Sequence, residues 1–138
     1  MGEKGNKSYF PAAARILMGL VFFVFGLNGF HPFIPQPANL PDRMMAFFGA
    51  MGNTGYMLPL VFATQMAVGV LLLVNRFVPL ALVLIAPVIV HIIAFHIFLQ
   101  PAGIVPGIIV LALEVYLVRS YWSSLRGIFV ARAKPDVR

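Results

Sequence analysis

A chain of 138 residues has room for one domain, and this one is 61% hydrophobic and only 10% charged, against about 25% charged in soluble domains; it reads as a membrane protein. Its net charge of +6 is gathered at the ends of apolar runs rather than in a basic stripe, which argues against nucleic-acid binding. With no cysteine, disulfides, Cys-x-x-Cys redox pairs and thiolate metal sites are excluded, so any redox chemistry must come from a bound cofactor or a partner.

Residues 1–11 form a short polar tail carrying Lys4 and Lys7. The first apolar run, residues 12–30, follows a basic start as a secretory signal does. It lacks a small-x-small cleavage site and precedes further apolar runs, so a retained span is expected. Arg15, Gly19, Phe22, Gly26 and Gly29 fall on one helical face, and small residues at that spacing let a second helix approach closely. Prolines 32, 35, 37 and 41 then forbid a regular helix through the first half of the next connection. Pro41 suits the first turn of a short helix over Pro41–Met51. Its Met44, Met45, Phe47, Phe48 and Met51 are expected to lie on the membrane surface as a partial lid, and Gly52-Asn53-Thr54-Gly55 reads as a turn.

The second span covers residues 56–74, with Thr64 and Gln65 near its centre, and Asn75-Arg76 turns the chain into the third span, residues 77–99. Those 23 residues contain no Lys, Arg, Asp or Glu and are long enough for a hydrocarbon core of roughly 30 Å. Pro87 removes a helical partner from the Val83 carbonyl, and His91 lies one turn later on the same face. That face is expected to point at other helices or trapped water. Gln100-Pro101-Ala102 leads into the fourth span, residues 103–122, which carries Glu114 near its middle; residues 123–138 form a basic tail. Connections this short make neighbouring helices antiparallel.

Charge sets the expected orientation. With both termini inside, the cytoplasmic side collects Lys4, Lys7, Arg15, Arg76, Arg119, Arg126, Arg132, Lys134 and Arg138, while the outer side has only Arg43, a positive-inside bias. By helical rise, Asn28, His31 and His96 lie near the outer face; Gln65, His91 and Glu114 lie around the midplane; Arg15 and Arg119 lie toward the cytoplasm. A carboxylate at the bilayer centre costs about 2.5–3.5 kcal/mol on insertion scales. Glu114 is therefore either a polar pin joining spans one, three and four or a site for a ligand or proton, with Arg15 and His91 as candidate partners. His91 and His96 are about 140° apart around a helix, a poor pair for one metal, and only one span holds histidines that could reach a haem. No metal site is expected, and no catalytic motif is present.

Two motifs carry a resemblance. Arg15-x3-Gly19-x2-Phe22-x3-Gly26 and Gln65-x3-Gly69-x-Leu71-Leu72-Leu73-x2-Arg76, with the Pro-rich loop and short helix between them, resemble the DoxX-like family of small four-span membrane proteins over Ala12 to Trp122. The family typically carries Glu where Gln65 stands, and Gln cannot ionise. The resemblance implies an association with membrane redox systems, including quinone-linked thiosulfate-oxidising subunits and oxidative-stress complexes.

The expectation is an all-α polytopic four-helix bundle in a bacterial-type cytoplasmic (inner) membrane, N-in and C-in, with a short extracytoplasmic interfacial helix between spans one and two. Its expected function is as an accessory or subunit of a quinone-linked redox assembly, with no intrinsic cofactor. Arg15, Gln65, His91 and Glu114 would line a polar pocket for a quinone head, and Asn28, His31 and His96 would form an outer polar group. The expected partners are the lipid bilayer, a membrane or peripheral redox protein, and further copies of the chain. An oligomeric small-solute carrier or permease, or a purely structural membrane partner protein, is the alternative.

Overall fold

The computed structural model describes residues 3–136, which form helices and connections and no strand; Met1, Gly2, Val137 and Arg138 lie outside the described residues. The helices are α1 (Glu3–Phe30), α2 (Asp42–Asn53), α3 (Met57–Leu73), α4 (Val78–Phe98), α5 (Ile104–Ser120) and α6 (Trp122–Leu125), with single 3₁₀ turns at Pro101–Gly103 and Arg126–Phe129. Three stretches are long and apolar enough to cross a bilayer: Tyr9–Phe30, Val78–Phe98 and Pro101–Ser120. Helices α2 and α3 qualify only as a pair bent by 92°. By length and composition, the described residues therefore offer three helices able to cross a membrane, or four if the bent pair serves as one.

Two segments read as tails are more ordered than expected. Helix α1 begins at Glu3 and runs through Pro11, where the proline costs one carbonyl its partner but the following alanines favour helix strongly. At the other end, Tyr121 interrupts α5, and α6 then tucks Leu125 into the core. Trp122 stacks on Phe129 with ring centroids 5.2 Å apart.

Helix α1 packs on α3, α3 on α4, α4 on α5 and α5 on α1, so the four long helices close a ring. Its axis is filled by Met18 and Phe22 of α1, Val68 and Leu72 of α3, Leu82, Ile85 and Ile89 of α4, and Val110 and Leu117 of α5. The outward faces are as apolar as the core, with Leu20, Phe25, Val70, Leu84, Val90 and Ile109 among many exposed large side chains, the pattern of helices solvated by lipid.

The tightest seam is α1 against α3, and glycines make it. A Cβ on Gly69 would sit 2.6 Å from the Phe23 nitrogen and 2.9 Å from the Gly19 carbonyl oxygen. One on Gly26 would sit 2.8 Å from the Phe62 carbonyl oxygen, and one on Gly29 would enter the Phe62 ring. Backbone thus lies on backbone, the contact that small residues allow in lipid.

The connections are specific as well. Helix α3 ends in a Schellman motif: Asn75 adopts a left-handed φ of 57°, its N–H donates to the Leu72 carbonyl at 3.4 Å and Arg76 N–H donates to the Leu71 carbonyl at 3.0 Å. At the 92° corner, the Thr54 hydroxyl donates to the Met51 carbonyl and accepts from the Met57 N–H at 3.1 Å, while Gly55 takes φ 80°. The turn read at Gly52–Gly55 is this corner.

Replacing Gly69 with Ala should force α1 and α3 apart and cost about 1–3 kcal/mol. The same change at Gly49, where nothing lies within 4 Å of the new Cβ, should be neutral or stabilise the exposed middle of α2 by about 0.5–1 kcal/mol. Thermal unfolding of the two variants in detergent checks the contrast.

Candidate functional site

Among the described residues, three polar side chains are buried: Arg15 and Gln65, each 9% exposed, and Glu114, 6% exposed. They do not form one cluster. The register of the helices separates them, and it can be read from the packing contacts.

Gly107 of α5 faces Ile92 and Ile93 of α4. These helices are antiparallel, so seven residues further along α5, at Glu114, the level on α4 is about seven residues earlier, near Ile85. Counting back through the tight turn between α3 and α4 puts Gln65 at that same level. Gly26 lies against Phe62 and Met66, so α1 contributes Phe22 and Gly26 there. Gln65 and Glu114 therefore share one layer of the bundle on diagonally opposed helices, with Phe22 and Ile85 completing it.

Glu114 is the group without a settlement. Neither Oε1 nor Oε2 has a hydrogen-bond partner, and both are buried. A buried polar group left without a partner costs about 1–3 kcal/mol, and more if charged. A pin would spend its oxygens on neighbouring donors, and Glu114 spends neither. Its surroundings are Val110 and Leu117 on its own helix and the apolar core across the bundle axis.

Arg15 does something different from the two roles expected of it. Its guanidinium neither pairs with Glu114 nor lines a pocket with it; Nη1 donates to the carbonyl of Leu72 and, at 3.4 Å, to that of Leu73. These are the last two residues of α3, where carbonyls lack helical donors and the helix dipole is negative. Arg15 is a capping cation contributed by a neighbouring helix. The level of α3 it caps is about eight residues from Gln65, or roughly 12 Å along the axis.

His91 does not join Glu114 either, which corrects the pocket read from sequence. The inward face of α4 carries Ala81, Leu82, Ile85 and Ile89, and both Pro87 and His91 are exposed. The face bearing the proline can point outward because its ring is hydrocarbon. The His91 ring instead stacks on Phe47 of α2, with centroids 5.6 Å apart and planes at 29°. Phe47 and Phe48 also meet Phe95 at 5.7 and 5.3 Å. Met44, Phe47, Phe48 and Met51 form one stripe of α2 turned toward the bundle, while Met45 is exposed. The sequence listed these side chains without showing that His91 is their counterpart.

The outer polar group is also dispersed. Asn28 Oδ1 accepts from the N–H groups of Phe33 and Ile34, both at 2.8 Å, and so folds the Pro-rich loop back over the end of α1. His96 Nδ1 lies 3.1 Å from the Gln100 carbonyl oxygen, and its ring covers Gly103 and Gly107 at the start of α5. His31 is exposed. Among the described residues no group of three His, Cys, Asp or Glu is placed to hold a metal ion.

Comparison of the chain with protein-family models, characterised proteins and solved structures returns no match. The likeness to DoxX-like proteins rests on the two motifs alone. In this structure both motifs are packing devices, since Gly19, Gly26 and Gly69 form the α1–α3 seam and Arg15 caps α3.

Arg15→Met should cost about 1.5–3 kcal/mol, the range for a hydrogen bond to a charged group. Arg15→Lys should recover part of that loss. Amide hydrogen exchange should rise first at Asn75 and Arg76, where the cap is made, and exchange mass spectrometry reads it.

Proposed function

We propose that this chain is a four-span inner-membrane protein, N-in and C-in, whose bundle centre receives the polar head of a membrane-soluble quinol, as a subunit or accessory of a quinone-linked redox assembly. In this reading α3 is the second span, and α2 lies at the outer surface as an interfacial helix. Supporting the orientation, Arg15, Arg76 and Arg119 are all at the end of the bundle where α1 enters, and Arg43 is at the opposite end.

The observation that carries the ligand reading is the pair of unpartnered carboxyl oxygens on Glu114. A carboxylate accepts hydrogen bonds and donates none, so the group that completes it must bring a donor. The hydroxyl of a quinol is such a donor and arrives dissolved in the same lipid. Gln65, at the same level, has both an amide donor and a carbonyl acceptor for the far side of the ring. The redox assignment itself comes from the resemblance of the two motifs to DoxX-like proteins. Helices α1 and α3 are locked at their glycines, so the ligand enters beside α5.

Glu114→Leu separates this reading from a structural one. It removes an unpartnered polar group, so it should raise the stability of the detergent-solubilised protein by about 1–3 kcal/mol. It should also abolish saturable binding of a short-chain benzoquinol measured by titration calorimetry. Glu114→Gln should keep the fold and weaken binding. Unchanged quinol binding in Glu114→Leu would remove the ligand site, and a large loss of stability would make Glu114 a structural pin.

A further inference from the structure

We propose that the outward face of α5 is a binding groove for one anionic phospholipid of the leaflet on the Arg119 side, an inference that uses the membrane orientation above but not the quinol site. Ile108, Leu111, Ala112, Val115, Tyr116 and Arg119 line an open groove of about 740 Å³. They recur at intervals of three, one, three, one and three, so they form a single stripe along one face of the helix. Ala112 supplies the shallow floor, and the larger Leu111 and Tyr116 stand at its sides. The lining is apolar until its end, where Arg119 brings a positive charge and Ser120 follows.

Length selects the ligand. From Ile108 to Arg119 is eleven residues, a rise of about 16 Å. Half of a hydrocarbon core of roughly 30 Å is about 15 Å. The Pro101–Ser120 span is centred near residues 110–111, so the Leu111–Arg119 part of the stripe lies in one leaflet, and an acyl chain laid along it sets its headgroup beside Arg119. A guanidinium there binds a phosphate through two parallel N–H donors. The Ser120 hydroxyl donates to the Tyr116 carbonyl at 2.9 Å, so Arg119 is the charged donor at this end. Arg15, at the same end of the bundle, is already spent on α3.

Charge also disfavours a second copy on this face. Two chains with the same membrane orientation, related by a two-fold axis, would set Arg119 against Arg119. The chain has only four acids. Glu114 is buried in the bundle, Asp42 opens α2 at the far end, and Glu3 and Asp136 belong to the terminal segments. Neither terminal acid lies on the α5 stripe, and a phosphodiester supplies an anion there.

Native mass spectrometry of the full chain in mild detergent tests this, with dioleoylphosphatidylglycerol and dioleoylphosphatidylcholine added in parallel. The wild-type protein should retain the anionic lipid about fivefold better, the worth of one basic side chain at the membrane surface. Arg119→Gln should erase that preference, Arg119→Lys should restore part of it, and Ala112→Trp, which fills an outward-facing groove, should lower retention of both lipids. Arg126→Gln should leave the preference intact. The proposal is overturned if wild type shows no preference, if Arg119→Gln behaves as wild type, or if Arg126→Gln has the same effect as Arg119→Gln. A dimer that Ala112→Trp dissolves, with no lipid mass on the monomer, would likewise overturn it and assign the face to a second copy.

Discussion

The backbone-on-backbone contact of α1 and α3 is the constraint from which the rest of the bundle follows. Lipid gives helices no hydrophobic reason to associate, so contact area and hydrogen bonds must do it. Glycines 19, 26 and 69 bring the two backbones to within a Cβ of each other, and that closeness lets a short reach from Arg15 find the carbonyls at the end of α3. The Schellman turn at Asn75 then returns the chain into α4 at once, so α4 must lie beside α3. Only one position is left for α5, between α4 and α1.

This order of assembly decides which polar groups can meet. Arg15 is drawn to the carbonyls at the end of α3, where the helix dipole is negative, so it is removed from competition for Glu114. His91 is turned outward because the bulky aliphatic stripe of α4 claims the bundle axis, and α2 folds back to cover it with Phe47. Glu114 is left in a layer with Phe22, Ile85 and Gln65, with no hydrogen-bond donor of the bundle on either oxygen. The group with the greatest need for a partner is the one the packing isolates, which is why it, rather than the histidines, marks the candidate site.

The two ligand surfaces proposed on α5 use opposite faces of one helix. Glu114 looks inward with Gly107, Val110 and Leu117, whereas Ala112, Val115, Tyr116 and Arg119 look out. Seventeen residues of helix thus present a buried acid to the bundle and an exposed cation to the lipid. A lipid held on the outer face would lie beside the seams through which the proposed quinol would pass.

Much of this was legible in the residues themselves. Hydropathy runs with Pro, Gly and Asn at their breaks located α3, α4, α5 and the C-terminal end of α1 to within a few residues, though not the start of α1, because a helix long enough to cross lipid leaves an unbroken signal and turn residues interrupt it. The spacing of Gly19, Gly26 and Gly29 announced a close helix contact, and the lone acid in the fourth apolar run announced a buried charge. What the linear order does not contain is rotation about each helix axis. In α3, α4 and α5 nearly every face is apolar, so no amphipathic stripe shows which side turns inward; the neighbours decide it. The shared level of Gln65 and Glu114 already followed from helical rise, whereas only the folded bundle put Pro87 and His91 on the outside and gave Arg15 to the carbonyls of α3, because those are consequences of which backbone could approach which.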